Sequence, residues 1–228
     1  MRRKQLARIA LYAIGFAIVL PVSFLREAKA FDKPDLLSIE IRATVIKNEN
    51  IDQVVGRLTE YGIPVGIELA EEKLPPLTPR RRIDLKVPET NVKDFLDTVV
   101  AKDPRYTWKL EGGVVHVWPK IERDTLITTL LDTKISHFAF AGGVSRYHIQ
   151  NEILNLPEIS SQLDFAGVSP LIFHSFANQA KLEKGAVFDE SNVTLRELLD
   201  KLVLKTEIKQ WVIMRWGENS EYITLKSG

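Results

Sequence analysis

The chain contains no cysteine. That excludes a disulfide framework, a thiolate metal site, a cysteine nucleophile and a lipidated N-terminal cysteine. Histidine is scarce as well. His116, His137, His148 and His174 stand singly, and none has the i, i+4 or one-apart spacing that makes a metal pair. His148 and Glu152 are four apart and would share a helix face, but no third ligand stands near them. His116 falls in the outward phase of a strand through Val115 and Val117, which predicts a solvated imidazole. Neither a Gly-x-Ser-x-Gly elbow nor a Ser-x-x-Lys pair surrounds Ser136, Ser145, Ser160, Ser169 or Ser175, so serine-hydrolase chemistry has no motif. No residue set implies a cofactor. A one-sided charge is lacking too, with 31 basic residues against 30 acidic ones.

What charge asymmetry there is lies at the N-terminus. Arg2, Arg3, Lys4 and Arg8 lead into an apolar stretch from Ile9 to Leu25, followed by Ala28, Lys29 and Ala30. This is the pattern of a secretory signal peptide over residues 1–30, with cleavage expected after Ala30. Pro21 interrupts the stretch, which is also near the short limit for crossing a bilayer core of about 30 Å. The alternative is an uncleaved anchor over residues 9–25 that tethers the same chain to the inner membrane. Both readings export the remainder, periplasmic in one case and membrane-tethered in the other. Beyond Ala30 the chain has 25 basic and 29 acidic residues, a net charge of −4. A mildly acidic protein lacks the footprint of a nucleic-acid binder, so no nucleic-acid partner is expected.

The exported part repeats itself at a distance of 103 residues. Asn91 precedes Val92, Phe95, Leu96, Val99 and Val100, and Trp108 follows; Thr194 precedes Leu195, Leu198, Leu199, Leu202 and Val203, and Trp211 follows. Spacings of i, i+3, i+4, i+7 and i+8 describe one face of a helix. Asn91 and Thr194 are cap residues, and Thr194 with Glu197 makes a capping box. Trp108 and Trp211 share the inward phase of the strand after the helix and are predicted in the core. Gly112 and Gly113 close a hairpin from Tyr106, Trp108 and Leu110 back through Val115 and Val117. The second hairpin, through Gly217, Glu218 and Asn219, is five residues longer if Val115 matches Ile223.

Ahead of the first repeat, Ile39, Ile41, Ala43 and Val45 alternate as a strand. Asn50 and Gln53 cap a helix with Ile51, Val54, Val55 and Leu58 inward, Gly62 ends it, and Val65, Ile67 and Leu69 give another strand. Prolines at 75, 76 and 79 predict an irregular loop, and Ile83, Leu85 and Val87 a strand beyond it. The second half opens less clearly. Ile135, Phe138 and Phe140 read as a strand, and Ser145 to Ile159 as a helix broken by Pro157. Ala186 and Phe188 then lie where Ile83 and Leu85 lay. These elements predict an α+β fold of two small two-layer domains in tandem, of βαβ-βαββ type: residues 36–120, a linker 121–134, and residues 135–228.

With "NVKDFLD" at Asn91–Asp97 and "YTWKLEGGVVHVWP" at Tyr106–Pro119, the first domain resembles the short N-terminal domain shared by secretins and TonB-dependent receptors. The second resembles it in its closing half. The resemblance implies a non-enzymatic, periplasmic module that docks protein partners. The expected partner is an envelope protein, such as a secretin, an outer-membrane receptor or a related secretion component, or another copy of the chain. The chain is expected to depart from the family in having no barrel or secretin core after the two domains.

Candidate contact residues follow from the surface pattern. Trp118 and Trp216 are the tryptophans least required by the core, and an exposed Trp anchors interfaces well. Arg80, Arg81 and Arg82 form a basic run after the proline loop, either a solvated loop edge or a grip for an anionic partner. Asn192 to Thr194 spells a glycosylation sequon, but Thr194 is accounted for as a cap. An open sheet edge offers a docking mode by strand addition. The competing reading is an enzyme of the cell-wall or glycan polymer, with Glu152 and Asp164 as its acids.

Overall fold

The helix caps and hairpins form where their residues predict them. The computed structural model describes residues 35–70, 81–121, 123–171, 181–182, 187–217 and 219–228. The leader, the proline-rich segment 74–79, Arg80, His174, Ser175, Ala186 and Glu218 lie outside the described residues. Asn91 caps α2 (Val92–Lys102) by accepting from the Asp94 N–H at 2.8 Å. Thr194 caps α6 (Leu195–Lys205): its hydroxyl accepts from the Glu197 N–H at 3.2 Å, and the Glu197 carboxylate accepts from the Thr194 N–H at 2.8 Å. Each helix is followed by a hairpin. The first joins β6 (Tyr106–Glu111) to β7 (Val114–Pro119), with Gly112 and Gly113 at φ 60° and 87°, values only glycine adopts freely. The second joins β11 (Gln210–Trp216) to β12 (Tyr222–Ser227).

The fold is α+β. Before α2 come β1 (Glu40–Ile41), β2 (Thr44–Glu49), α1 (Ile51–Gly56), β3 (Val65–Glu68), β4 (Ile83–Val87) and β5 (Thr90–Asn91). Between the first hairpin and α6 come α3 (Thr125–Asp132), β8 (Lys134–Ala141), α4 (Arg146–Leu154), α5 (Pro157–Ala166), β9 (Ser169–Pro170) and β10 (Val187–Thr194). A six-stranded sheet runs in the order β6-β7-β3-β11-β12-β9. Short ribbons β1:β5, β2:β4 and β8:β10 flank it.

The halves repeat one topology. β2 pairs antiparallel with β4 as β8 does with β10; the β6:β7 hairpin takes β3 in parallel on β7, as the β11:β12 hairpin takes β9 on β12. The halves meet where β3 pairs in parallel with β11. Because β7, β3 and β11 run one way while β6, β12 and β9 run the other, the second triplet is the first turned over about an axis across the strands. Its helix therefore covers the opposite face. One core, around α1 and α2, takes Val65, Ile67, Val115, Val117, Val212 and Met214; the other, around α3 to α6, takes Val114, Trp211, Ile213, Ile223 and Leu225.

Several expectations change. Val45 is 54% exposed and Ile46 is buried, because the strand breaks at Arg42 and Ala43 and resumes in the other phase. Residues 125–132, inside the expected linker, form a helix capped by Asp124, with Ile127, Leu130 and Leu131 buried at helical spacing. Trp108 lies opposite Val117, nine residues on, whereas Trp211 lies opposite Ser227, sixteen on. The second hairpin is thus seven residues longer, not five: its strands pair for two residues further on each side, and five residues separate them where the first hairpin has two. Pro157 starts α5 instead of breaking one helix, its missing N–H costing nothing at that position.

Candidate docking edge

The repeat carries a polar pair beside its apolar face. The Asp97 carboxylate accepts from the Trp108 indole N–H at 2.9 Å, and Asp200 accepts from Trp211 at 2.9 Å. Sequence reasoning found the tryptophans and missed the aspartates, although both stand eleven residues before their Trp. The two rings differ in surroundings. Trp211 is 1% exposed; Trp108, predicted in the core, is only partly buried. Trp211 has β3 beside it, while no strand lies beyond β6 among the described residues.

The junction shows what fills that space in the second half. Gly66 of β3 pairs with Trp211, and a Cβ built on it would lie 2.4 Å from the ring. On the far side of Gly66, His116 pairs in register, its ring 5.9 Å from that of Trp211 and its Nε2 3.4 Å from Asp200 Oδ2. His116 is therefore buried at 5% exposure, not solvated: its phase is outward for the first half, but the second half covers that face. Two residues after Gly66, the carboxylate of Glu68, 2% exposed, pairs with Arg196 of α6 at 2.8 Å and with Arg123 through two guanidinium nitrogens. That bond to Glu68 raises the pKa of Arg123 above its ordinary value.

The β6 edge offers backbone groups. Lys120 donates to the Arg105 carbonyl at 2.7 Å, so alternate residues Thr107, Lys109 and Glu111 bond to β7. By that alternation Trp108 and Leu110 direct their N–H and carbonyl groups off the sheet. Their counterparts Trp211 and Ile213 face β3, and the Ile213 carbonyl accepts from the Leu69 N–H at 2.9 Å. Lys93 of α2 hydrogen-bonds Asp97 at 2.8 Å and holds its carboxyl below the usual range, with the Trp108 N–H adding to the effect. Beside the edge, on the other face, a cleft of roughly 270 Å³ is lined by Lys109, His116, Trp118, Arg123 and Arg196 with acidic neighbours.

The predicted contact residues are not brought together. Trp118 lines this cleft half-buried, with Arg123 6.0 Å over its ring. Trp216 lies on the opposite face of the sheet, packed against the α1 and α2 core, bonded to Thr224 at 3.1 Å and tilted against the Tyr222 ring with centroids 5.1 Å apart. Arg81 is 3.7 Å from Asp103, and Arg82 donates to the Asn48 carbonyl and Gln53 at 3.3 Å, so both are tied to their own half. Glu152 lines a separate cleft of roughly 250 Å³ with His137 and His148, but Asp164, exposed on α5, is not part of its lining. Among the described residues no group of three or more His, Asp or Glu side chains is placed to hold a metal ion.

No family model, no curated protein and no solved structure matches this chain.

Proposed function

We propose that the chain is an exported, non-enzymatic docking module, akin to the short N-terminal domains of secretins and TonB-dependent receptors, that binds an envelope protein by taking a strand onto β6. One observation carries this reading: the edge of β11 holds a strand and, among the described residues, the equivalent edge of β6 does not. An edge with aligned donors and acceptors binds an extended segment through its main chain, and neighbouring side chains select among segments. Trp108 on one face and the cleft with Trp118 and Arg123 on the other supply that selection.

The test uses the chain from Phe31 onward, which contains the compact unit Pro34–Gly228. Crosslinking and affinity capture from the native host's envelope should recover a defined outer-membrane or secretion component. Leu110→Pro removes an outward N–H, a position where an edge strand tolerates proline. Capture should be lost with this variant while its circular dichroism is retained; undiminished capture would overturn the reading. N-terminal sequencing of the native protein should find Phe31, placing the chain free in the periplasm.

A further inference from the structure

The junction between the halves states what kind of strand the open edge takes, an inference that rests on the docking reading above. We infer that β6 accepts a parallel strand of a different protein, with glycine opposite Trp108 and a carboxylate two residues later that faces Lys93. The template is β3, seated on the equivalent edge. Three of its features are set by the second half. Its direction is parallel to β11. Its residue paired with Trp211 is Gly66, since any side chain would enter the ring. Its Glu68 reaches Arg196, the second residue after the Thr194 cap. The first half reproduces the reading groups: Trp108 is pinned by Asp97 as Trp211 is by Asp200, and Lys93, second after the Asn91 cap, stands where Arg196 does, its side chain 58% exposed.

A second copy of this chain does not meet the requirement. Its own β3 is already enclosed between β7 and β11. Among the described residues its remaining sheet end is β9, where Ser169 donates to Glu221 at 2.8 Å and Leu171 to Ile223 at 2.7 Å, so the intervening Pro170 is the outward residue. Proline has no N–H to offer there, which blunts that edge against pairing. The sheet is stopped at one end and receptive at the other, so the arrangement favours one foreign strand over a polymer.

The probe is a fluorescein-labelled peptide of residues 63–70, Ile63 to Ala70, titrated by anisotropy against the chain from Phe31 onward. Saturable binding is expected. Peptides carrying Gly66→Val or Glu68→Lys should bind about tenfold or more weakly, and Lys93→Glu in the protein should restore the Glu68→Lys peptide. Leu110→Pro in the protein should abolish binding. No saturable binding, equal binding of the Gly66→Val peptide, or binding that survives Leu110→Pro would overturn the inference, the last by placing the peptide at β11. Concentration-dependent dimers that compete with the peptide would also overturn it, in favour of a second copy. If the peptide fails while Leu110→Pro still abolishes envelope capture, the strand pattern falls and the docking reading stands; if capture also survives, both fall.

Discussion

Gly66 lies against the ring of Trp211 so closely that a Cβ there would meet ring carbon Cζ2 at 2.4 Å. Trp211 is buried and hydrogen-bonded to Asp200, so the ring has nowhere to retreat. Gly66→Ala should therefore destabilise the protein by about 1–3 kcal/mol, the cost of overpacking a filled core. Urea unfolding checks this, and an unchanged midpoint would show that the junction yields.

The two tryptophans should separate stability from binding. Trp211→Ala removes a buried ring and should cost about 3–5 kcal/mol. Trp108→Ala removes a half-exposed one, so the loss should be smaller, about 1–2 kcal/mol in proportion to the area buried. Partner capture should fail in Trp108→Ala at temperatures where the variant stays folded, as thermal melts followed by capture would show.

Glu68 is a buried carboxylate shared by Arg123 and Arg196. Glu68→Gln leaves two guanidinium groups without their counter-charge and should destabilise by about 3 kcal/mol. Glu68→Met, which fails equally to pair them, should not be better by more than about 1 kcal/mol. Chemical denaturation of both variants distinguishes a paired network from simple filling of space.

Asp103, 1% exposed, makes a second acidic test. Burial pushes its carboxyl up, but the hydrogen bonds and charge of Arg105, with Arg81 beyond, win and leave it below the usual range. A carboxyl held lower in the folded chain than in the unfolded one, near 3.9, contributes stability that is present above that value. The contribution is lost as pH falls through the folded value. Asp103→Asn should thus be less stable than the parent at pH 7 and should lose less stability on acidification below about pH 4. Parallel unfolding curves across that window measure the difference.

The α6 cap gives a smaller, local effect. Thr194→Ala removes the hydroxyl that accepts from Glu197 and should cost about 1 kcal/mol. Thr194→Ser keeps the acceptor and should be nearly neutral in a thermal melt.

Local chemistry made much of this fold legible. Caps at Asn91 and Thr194, apolar faces such as Val92, Phe95, Leu96 and Val99, and the Gly112–Gly113 turn all act within about ten residues of chain, so their spacing in the sequence is their spacing in space. The phase of Val45 and Ile46 was not legible, because a break between two short strands changes which residues face inward without leaving a composition signal. Trp118 lines a cleft half-buried, whereas Trp216 packs on the other face of the sheet beside Thr224 and Tyr222, a difference of face that follows from strand pairing and not from the residues themselves.

By itself the sequence determined the repeated module: its helix, its hairpin and the tryptophan in the hairpin's first strand. Tertiary structure decided how the modules join. The pairing of Val65 with Gln210 buries His116, seats Gly66 on Trp211 and leaves β6 at the end of the sheet among the described residues. Strand pairing between segments far apart in the chain depends on which edge meets which, and the period of a strand specifies its face but not its neighbour.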